Sequence, residues 1–192
     1  MLLLNTHFCL SLNVGCVPSK AIIHSANLAH KLKGDTQHLA EAGITLDPSN
    51  VQVDFAKVME RVRKVRADIS YHDSAERYTK ELGVEVYIGR GKFTSDKTVV
   101  VNGQTLTFRK AVIATGGYPT LISMPGLKEL YDQATDVGST DWNTRPIIMT
   151  NETFFNLTKQ PTNMVVIGAG VVGMEVRNLL YTLLHHTAML IL

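Results

Sequence analysis

The sequence predicts an α/β fold, and three observations support this. Residues 163–178 ("NMVVIGAGVVGMEVRN") have the pattern of an apolar strand, a glycine turn and a helix. Residues 55–69 carry an apolar stripe with the spacing of an amphipathic helix. Residues 83–116 contain apolar or alternating runs bounded by glycine, which is typical of strands. Strands interspersed with helices favour a sheet that is covered by helices.

The composition is that of an ordinary soluble globular protein. Of 192 residues, 45% are hydrophobic and 19% are charged, and this length suits one large domain or one and a fraction. A net charge of +2 is too small to indicate binding to nucleic acid or to an acidic membrane surface. Two cysteines are too few for a disulfide scaffold and indicate no compartment. Residues 1–12 are apolar but lack a basic region, so we expect neither a signal peptide nor a membrane anchor.

Two helices are predicted from apolar periodicity. The first follows the turn at 13–16 and ends at Gly34, because glycine commonly closes a helix. Its apolar positions are Ile22, Ile23, Ala26, Ala29 and Leu32. The second helix carries its stripe at Phe55, Val58, Met59, Val62, Val65 and Ile69. The basic side chains between 61 and 66 lie mostly off that stripe, so we expect a solvated face there.

Three strands are predicted at 83–89, 98–103 and 104–116. Asn102-Gly103 separates two alternating runs, and this dipeptide is typical of a tight hairpin turn. The last of these strands is expected to be buried where it ends in "AVIATGG". From there to about residue 145 the chain is polar and irregular, and we interpret it as a connecting segment. The final run, 187–192, is predicted to be another strand.

The glycine turn in the last predicted unit has the order G-x-G-x-x-G, at Gly168, Gly170 and Gly173. The first glycine permits a tight turn, the second lets the backbone approach a pyrophosphate, and the third allows close packing of helix on strand. The following helix N-terminus favours a phosphate group. The alternative is a glycine-rich turn that binds no ligand. The acidic residue that would contact a ribose belongs beyond residue 192, so the sequence does not distinguish NAD from NADP.

Cys16 is the candidate reactive thiol. It stands at a predicted helix start, where the helix dipole and free amides favour a thiolate, and Lys20 follows one turn later. The equally weighted alternative is a structural cysteine beside a surface lysine. A metal site made from His7, Cys9, Cys16 and His24 is a weaker hypothesis, because six residues separate the two cysteines where zinc sites usually have two to four.

Three segments together resemble one enzyme family. "LNVGCVPSKAIIHSA" (12–26) resembles the redox-active segment of the class I pyridine nucleotide-disulfide oxidoreductases, whose pattern is C-x-N-x-G-C-x-P-S/T-K. "AVIATGGYPTLISMPGL" (111–127) resembles their A-T-G segment, and "NMVVIGAGVVGMEV" (163–176) resembles their second, NAD(P)-binding glycine motif. Residues 53–78 are most similar to the mercuric reductase-like branch.

This resemblance implies a fold, a reaction and partners. The fold would be a partial FAD/NAD(P)-binding Rossmann-like fold that is truncated at both ends. Residues 1–150 would form a partial FAD-binding domain without its first βαβ unit, and residues 151–192 would begin an NAD(P)-binding domain. Electrons would pass between NAD(P)H, FAD and a small-molecule or small-protein thiol or disulfide, or a metal ion. Full-length members of the family are homodimers, and we expect neither nucleic acid nor membrane as a partner.

The resemblance also implies roles for individual residues. Cys16 would be the flavin-side catalytic thiol, and Lys20 would act beside the flavin. The other positions that match FAD-binding residues are Gly91, Thr115 and Gly116. The positions that match the nicotinamide-nucleotide turn and the acidic residue after it are Gly168, Gly170, Gly173 and Glu175.

The sequence departs from the family pattern in two respects. The first family cysteine is expected at position 11, where this chain has Ser11, and a hydroxyl cannot form a dithiol. Cys9 lies seven residues before Cys16, which in a helix is about 10 Å and beyond the reach of a disulfide at about 7 Å. The family's first glycine motif and its C-terminal interface domain are also not found in these 192 residues. We therefore interpret the chain as a fragment that is inactive alone, with an inactive remnant that binds no flavin as the alternative.

Overall fold

The structure is a computed structural model that describes residues 2–4, 10–34, 36–136, 148–183 and 187–190. The described chain contains both helices and strands, in agreement with the α/β prediction. In chain order the elements are β1 (Leu2–Leu4), α1 (Leu10–Val14), α2 (Cys16–Gly34), α3 (Thr36–Glu41), α4 (Phe55–Ser70), α5 (Ala75–Lys80), β2 (Val86–Ile88), β3 (Lys92–Phe93), β4 (Thr98–Val101), β5 (Gln104–Thr107), α6 (Leu127–Asp136), α7 (Asn151–Phe154), β6 (Met164–Ile167), α8 (Val171–Leu183) and β7 (Thr187–Leu190).

The main core lies where α2 packs against α4 and α8. Asp54 caps the start of helix α4, because its carboxylate accepts a hydrogen bond from the Lys57 backbone N–H, and the helix buries one apolar stripe. The buried core side chains are Ala21, Ile22, Phe55, Met59, Val62, Phe154, Phe155, Leu157 and Val176. Each large apolar side chain removed from water in this way contributes about 1.5–3 kcal/mol. The two periodicity-predicted helices are confirmed, and α2 ends at Gly34.

A three-stranded antiparallel sheet has the order β3-β4-β5. Its hairpin turn has φ +48° at Asn102 and +79° at Gly103, which are the positive values that a type I′ turn requires. The Asn102 amide also donates to the Ile88 carbonyl oxygen at 2.9 Å, which attaches the turn to the end of β2. The predicted hairpin is therefore confirmed.

The end of the described chain is a β6–α8–β7 unit. The two strands are parallel, with Val165 opposite Ala188 and Ile167 opposite Leu190. A helix that connects two parallel strands is the βαβ arrangement, as the sequence predicts for this region. A second parallel pair, β1–β2, places Leu3 opposite Tyr87. Strand β1 was not predicted, because a run of three leucines is too short to show a period.

Two predictions about residues 104–145 were wrong. The strand predicted to reach 116 ends at Thr107, and residues 111–118 are exposed coil in which Val112 is 90% and Ile113 is 73% exposed. An apolar run becomes a strand only when a neighbouring strand pairs with its backbone, and no described strand pairs with these residues. The segment interpreted as irregular contains α6, and residues 137–147 lie outside the described part.

Within the described part of the chain, no helix combines the length and the apolar character needed to cross a membrane.

Candidate functional site

The cysteine turn is a sharp bend between two helices. Helix α1 ends at Val14, and α2 begins at Cys16. A Cβ added at Gly15 would lie 3.1 Å from both the Leu10 carbonyl oxygen and the Ser11 Cα, so the bend leaves little room for a larger residue. Cys16 is a free, exposed thiol at the start of α2. Cys9, the other cysteine, lies outside the described residues.

Hydrogen bonds and packing hold the first turn of α2 in place. The Ser19 side chain is buried, and its hydroxyl donates to the Cys16 carbonyl oxygen at 3.2 Å. The Ser19 backbone N–H donates to the Gly15 carbonyl oxygen at 3.2 Å. Pro18 is fully buried. Buried contacts of Pro18 and Ser19 thus hold the backbone around Cys16 in place, while Cys16 itself is exposed to solvent.

Lys20 and Glu175 connect the cysteine helix to the nucleotide-motif helix. The Lys20 ammonium donates to the Glu175 carboxylate, and Glu175 is the more buried partner, with 21% of its side chain exposed against 62% for Lys20. This hydrogen bond holds the pKa of Glu175 below its ordinary value of 4.5; partial burial acts in the opposite direction, and the Ser19 hydroxyl adds to the lowering. Both residues are predicted site residues, but 155 residues separate them and no local pattern predicts their contact.

The glycine turn after β6 lets α8 pack closely against it and leaves part of its backbone uncovered. Gly168 has φ +108°, a conformation that side chains disfavour. A Cβ added at Gly173 would lie 2.4 Å from the Gly168 carbonyl oxygen, so α8 packs on the turn only because residue 173 has no side chain. A Cβ added at Gly170 would meet no atom within 4 Å. The turn therefore presents open backbone at Gly170, in front of the helix N-terminus.

The remaining sequence-predicted positions differ in their surroundings. Gly116 has φ +69°, and a Cβ there would lie 2.3 Å from Leu10 Cδ1, so this part of the A-T-G segment lies against the start of α1. Thr115 precedes it in exposed coil, and Gly91 lies in the exposed link between β2 and β3. The structure thus brings Gly116 close to the cysteine turn.

A metal site receives no support from the part of the chain that can be described. Among those residues, no three His, Cys, Asp or Glu side chains are grouped so that they could hold an ion. His7 and Cys9, two members of the proposed set, lie outside the described residues.

Asn151, which the sequence analysis did not select, reaches the cysteine turn. It is the first residue of α7, and its side-chain amide donates to the Val14 carbonyl oxygen at 3.2 Å. The Thr150 hydroxyl caps α7, while Phe154 and Phe155 anchor it in the core. One sequence signal could have drawn attention to this region: Pro18, four residues after Val14, has no N–H to donate.

Comparison with known proteins gives one family. The pyridine nucleotide-disulphide oxidoreductase family matches residues 10–191. Dihydrolipoyl dehydrogenase from Geobacillus stearothermophilus is 36% identical over 168 residues, which are 85% of this chain and 30% of that protein. Mercuric reductase from Bacillus cereus is 31% identical over 174 residues, which are 89% of this chain and 24% of that protein. Dihydrolipoyl dehydrogenase from Acholeplasma laidlawii is 29% identical over 164 residues, which are 85% of this chain and 43% of that protein.

Solved structures give the same fold. The HOCl-induced flavoprotein disulfide reductase RclA from Escherichia coli superimposes with a TM-score of 0.66 at 17% identity, covering 94% of this chain and 33% of that one. Its Cu(II) complex gives a TM-score of 0.69 at 16% identity, covering 98% and 35%. The fold is therefore the partial Rossmann-like fold expected from the sequence. From the match along residues 10–191, the chain belongs to the pyridine nucleotide-disulphide oxidoreductase family.

Proposed function

We propose that this chain is part of an FAD-dependent oxidoreductase, carrying the flavin-side thiol and the beginning of the nicotinamide-nucleotide site. The observation that carries the proposal is the contact between Lys20 and Glu175, because it joins the two motifs on which such a reaction depends. The chain spans between 24% and 43% of the length of the three curated relatives above. The activity proposed is thus that of a longer protein.

The proposed domain organisation follows the motifs. Residues 1–150 would contribute to an FAD-binding domain, and residues 151–192 would begin an NAD(P)-binding domain. The β6–α8–β7 unit supports the second assignment, because a nucleotide of this kind binds where a parallel strand meets a helix N-terminus.

The glycine turn fits the pyrophosphate of NAD(P)H. Gly168 supplies the turn, Gly173 allows α8 to approach, and the open backbone at Gly170 leaves room for an anion. The positive end of α8 points toward the same region and favours negative charge there. These residues bind and orient the nucleotide and have no direct part in bond making.

The residues around the cysteine turn fit the thiol side of a flavin site. When bound, FAD would supply reversible electron transfer between the nicotinamide and the acceptor. Cys16 stands at the start of α2, and Lys20, one turn further along the same helix, is held by the carboxylate of Glu175. Gly116 lies against Leu10 at the start of α1, with Thr115 beside it in sequence. By the family resemblance, Gly91 would contact the adenine end of FAD.

We propose only the chemical class of the electron acceptor. The names of the relatives, mercuric reductase and dihydrolipoyl dehydrogenase, support a metal ion or a thiol or disulfide. Ser11 occupies the position of a second thiol and cannot be oxidised to a disulfide with Cys16. Cys16 would therefore act without a dithiol partner at position 11.

A non-enzymatic remnant that binds no flavin is the second candidate. The observation that favours it is the exposure of residues 111–118, where the family places an FAD-binding strand end. A chain that leaves Val112 and Ile113 in water does not form that part of a flavin site unaided.

Titrating FAD with the purified chain separates the two candidates. We expect a saturable change in flavin absorbance or fluorescence that Lys20→Met weakens and Lys31→Met, further along α2, does not. A flavin signal that the chain leaves unchanged would support the remnant. In a second assay, the chain is supplied with FAD, NADH or NADPH and a disulfide or mercuric ion. We expect no nicotinamide oxidation above buffer, and clear turnover would refute the proposed inactivity of the chain alone.

A further inference from the structure

The Val14 carbonyl oxygen has no backbone donor at the position where a helix would supply one. In a continuous helix this oxygen would accept a hydrogen bond from the N–H of residue 18. Residue 18 is proline, which has no N–H, and the chain bends at Gly15 between the two residues. The carbonyl lies at the bend itself, two residues before the Cys16 thiol, in a partly buried position. Such a group requires a donor from elsewhere.

Asn151 supplies that donor from a distant part of the sequence. Its amide nitrogen lies 3.2 Å from the Val14 oxygen across 137 residues. Asn151 is itself held firmly, because the Thr150–Thr153 capping box begins α7 and the Phe154 and Phe155 side chains are buried in the core. The bend before Cys16 is therefore tied to a fixed point outside α1 and α2.

We propose that Asn151 is a positioning residue for Cys16, which it serves by holding the Val14 carbonyl that Pro18 leaves without a helical donor. The amide fixes the bend between α1 and α2, and the bend fixes where the Cys16 thiol stands at the N-terminus of α2. In general, how far a helix N-terminus favours the thiolate form of a cysteine depends on where the sulfur stands relative to it. The inference rests on the proposed function, in which Cys16 is the working thiol.

The test measures the reactivity of Cys16 in the full chain, with Cys9→Ser so that one thiol remains. The rate of alkylation by iodoacetamide is followed against pH, and the rate near neutral pH is divided by the plateau rate at high pH. We expect Asn151→Ala to lower this ratio about threefold to fivefold, the effect of one lost hydrogen bond. An isosteric Asn151→Asp, which cannot donate, should lower it as well.

Asn156→Ala is the matched control. Asn156 is also partly buried, but its amide donates locally to the Glu152 carbonyl oxygen at 3.4 Å. We expect it to leave the alkylation ratio unchanged, even if it lowers the thermal midpoint as much as Asn151→Ala does. An unchanged ratio in folded Asn151→Ala, or an equal fall in both variants, would overturn the proposal.

A double-mutant cycle among folded variants tests the role of Pro18. Pro18→Ala returns an N–H to position 18, so the effect of Asn151→Ala on the ratio should be at least halved in that background. A full effect in both backgrounds would contradict the inference. Neither measurement needs flavin or nicotinamide. Failure of the unsubstituted chain to bind these cofactors would refute the proposed function and not this result.

Discussion

The Lys20 ammonium of α2 contacts the Glu175 carboxylate of α8, although 155 residues separate them in sequence. One residue follows the cysteine turn and the other follows the glycine turn, so the contact joins the two motifs with the clearest chemistry. It is supported by the packing of α2 against α8, where Ile22 and Val176 belong to one buried cluster.

This contact predicts a pH-dependent stability. The pKa of Glu175 is lowered in the folded chain, so its contribution is fully present above the ordinary value of 4.5 and is lost as the pH falls through the lower folded value. Lys20→Met should reduce the free energy of unfolding at neutral pH by less than about 1 kcal/mol, because Lys20 is solvent-exposed. Denaturant titrations of both proteins across acidic pH check this. A stability difference between the two proteins that stays constant down to the lowest pH would contradict this role of the ion pair.

The glycine turn predicts opposite results for two similar substitutions. Gly173→Ala would place a Cβ 2.4 Å from the Gly168 carbonyl oxygen, whereas a Cβ at Gly170 meets nothing within 4 Å. We expect Gly173→Ala to lower the free energy of unfolding by about 1–3 kcal/mol. Gly170→Ala should change it by less than about 0.5 kcal/mol. Equal denaturant midpoints for the two variants would show that α8 does not pack on the turn in this way.

The helical core predicts a large effect at Met59, whose side chain is completely buried between α4 and its neighbours. Met59→Ala should lower the free energy of unfolding by about 2–5 kcal/mol, because it removes apolar contacts and leaves a cavity. The adjacent Glu60 is exposed, so Glu60→Ala serves as the control and should change stability little. Thermal or denaturant unfolding measures the stability of both variants. Similar losses of stability in the two would show that Met59 is not part of the packed core.

The hairpin turn predicts a graded series at Asn102. This residue has φ +48° and donates to the Ile88 carbonyl oxygen. Asn102→Gly loses the hydrogen bond but tolerates the backbone, whereas Asn102→Ala loses the bond and adds strain of about 1–2 kcal/mol. Alanine should therefore be the more destabilising substitution in urea titrations. The reverse order would argue against a type I′ turn.

Local patterns were enough to predict the elements that depend on local physics. The stripe on α4 and the Asn102-Gly103 turn are encoded within a few residues, and both are found as predicted. The strand and helix around Gly168 and Gly173 are also local, because glycine spacing sets both the turn and the packing. The assignment of Cys16 as a catalytic residue stays a prediction.

Elements that depend on distant partners were not predicted correctly. The run at 111–116 is apolar enough for a strand, yet no described strand pairs with it and it is exposed coil. The contacts of Asn151 with Val14 and of Lys20 with Glu175 span 137 and 155 residues, and no local pattern carries that information. Sequence patterns therefore predicted Lys20 and Glu175 as candidate site residues, while the structure supplied their contact and that of Asn151 with Val14.

Equilibrium titration of the full chain with NADH and with NADPH, followed by nicotinamide fluorescence, measures whether the glycine turn binds a nicotinamide nucleotide. We expect saturable binding of at least one of the two nucleotides, weakened at least about tenfold by Gly170→Ala, which puts a methyl group where the pyrophosphate would approach the backbone. Fluorescence that does not saturate for either nucleotide, or equal affinity in the folded Gly170→Ala variant, would contradict it.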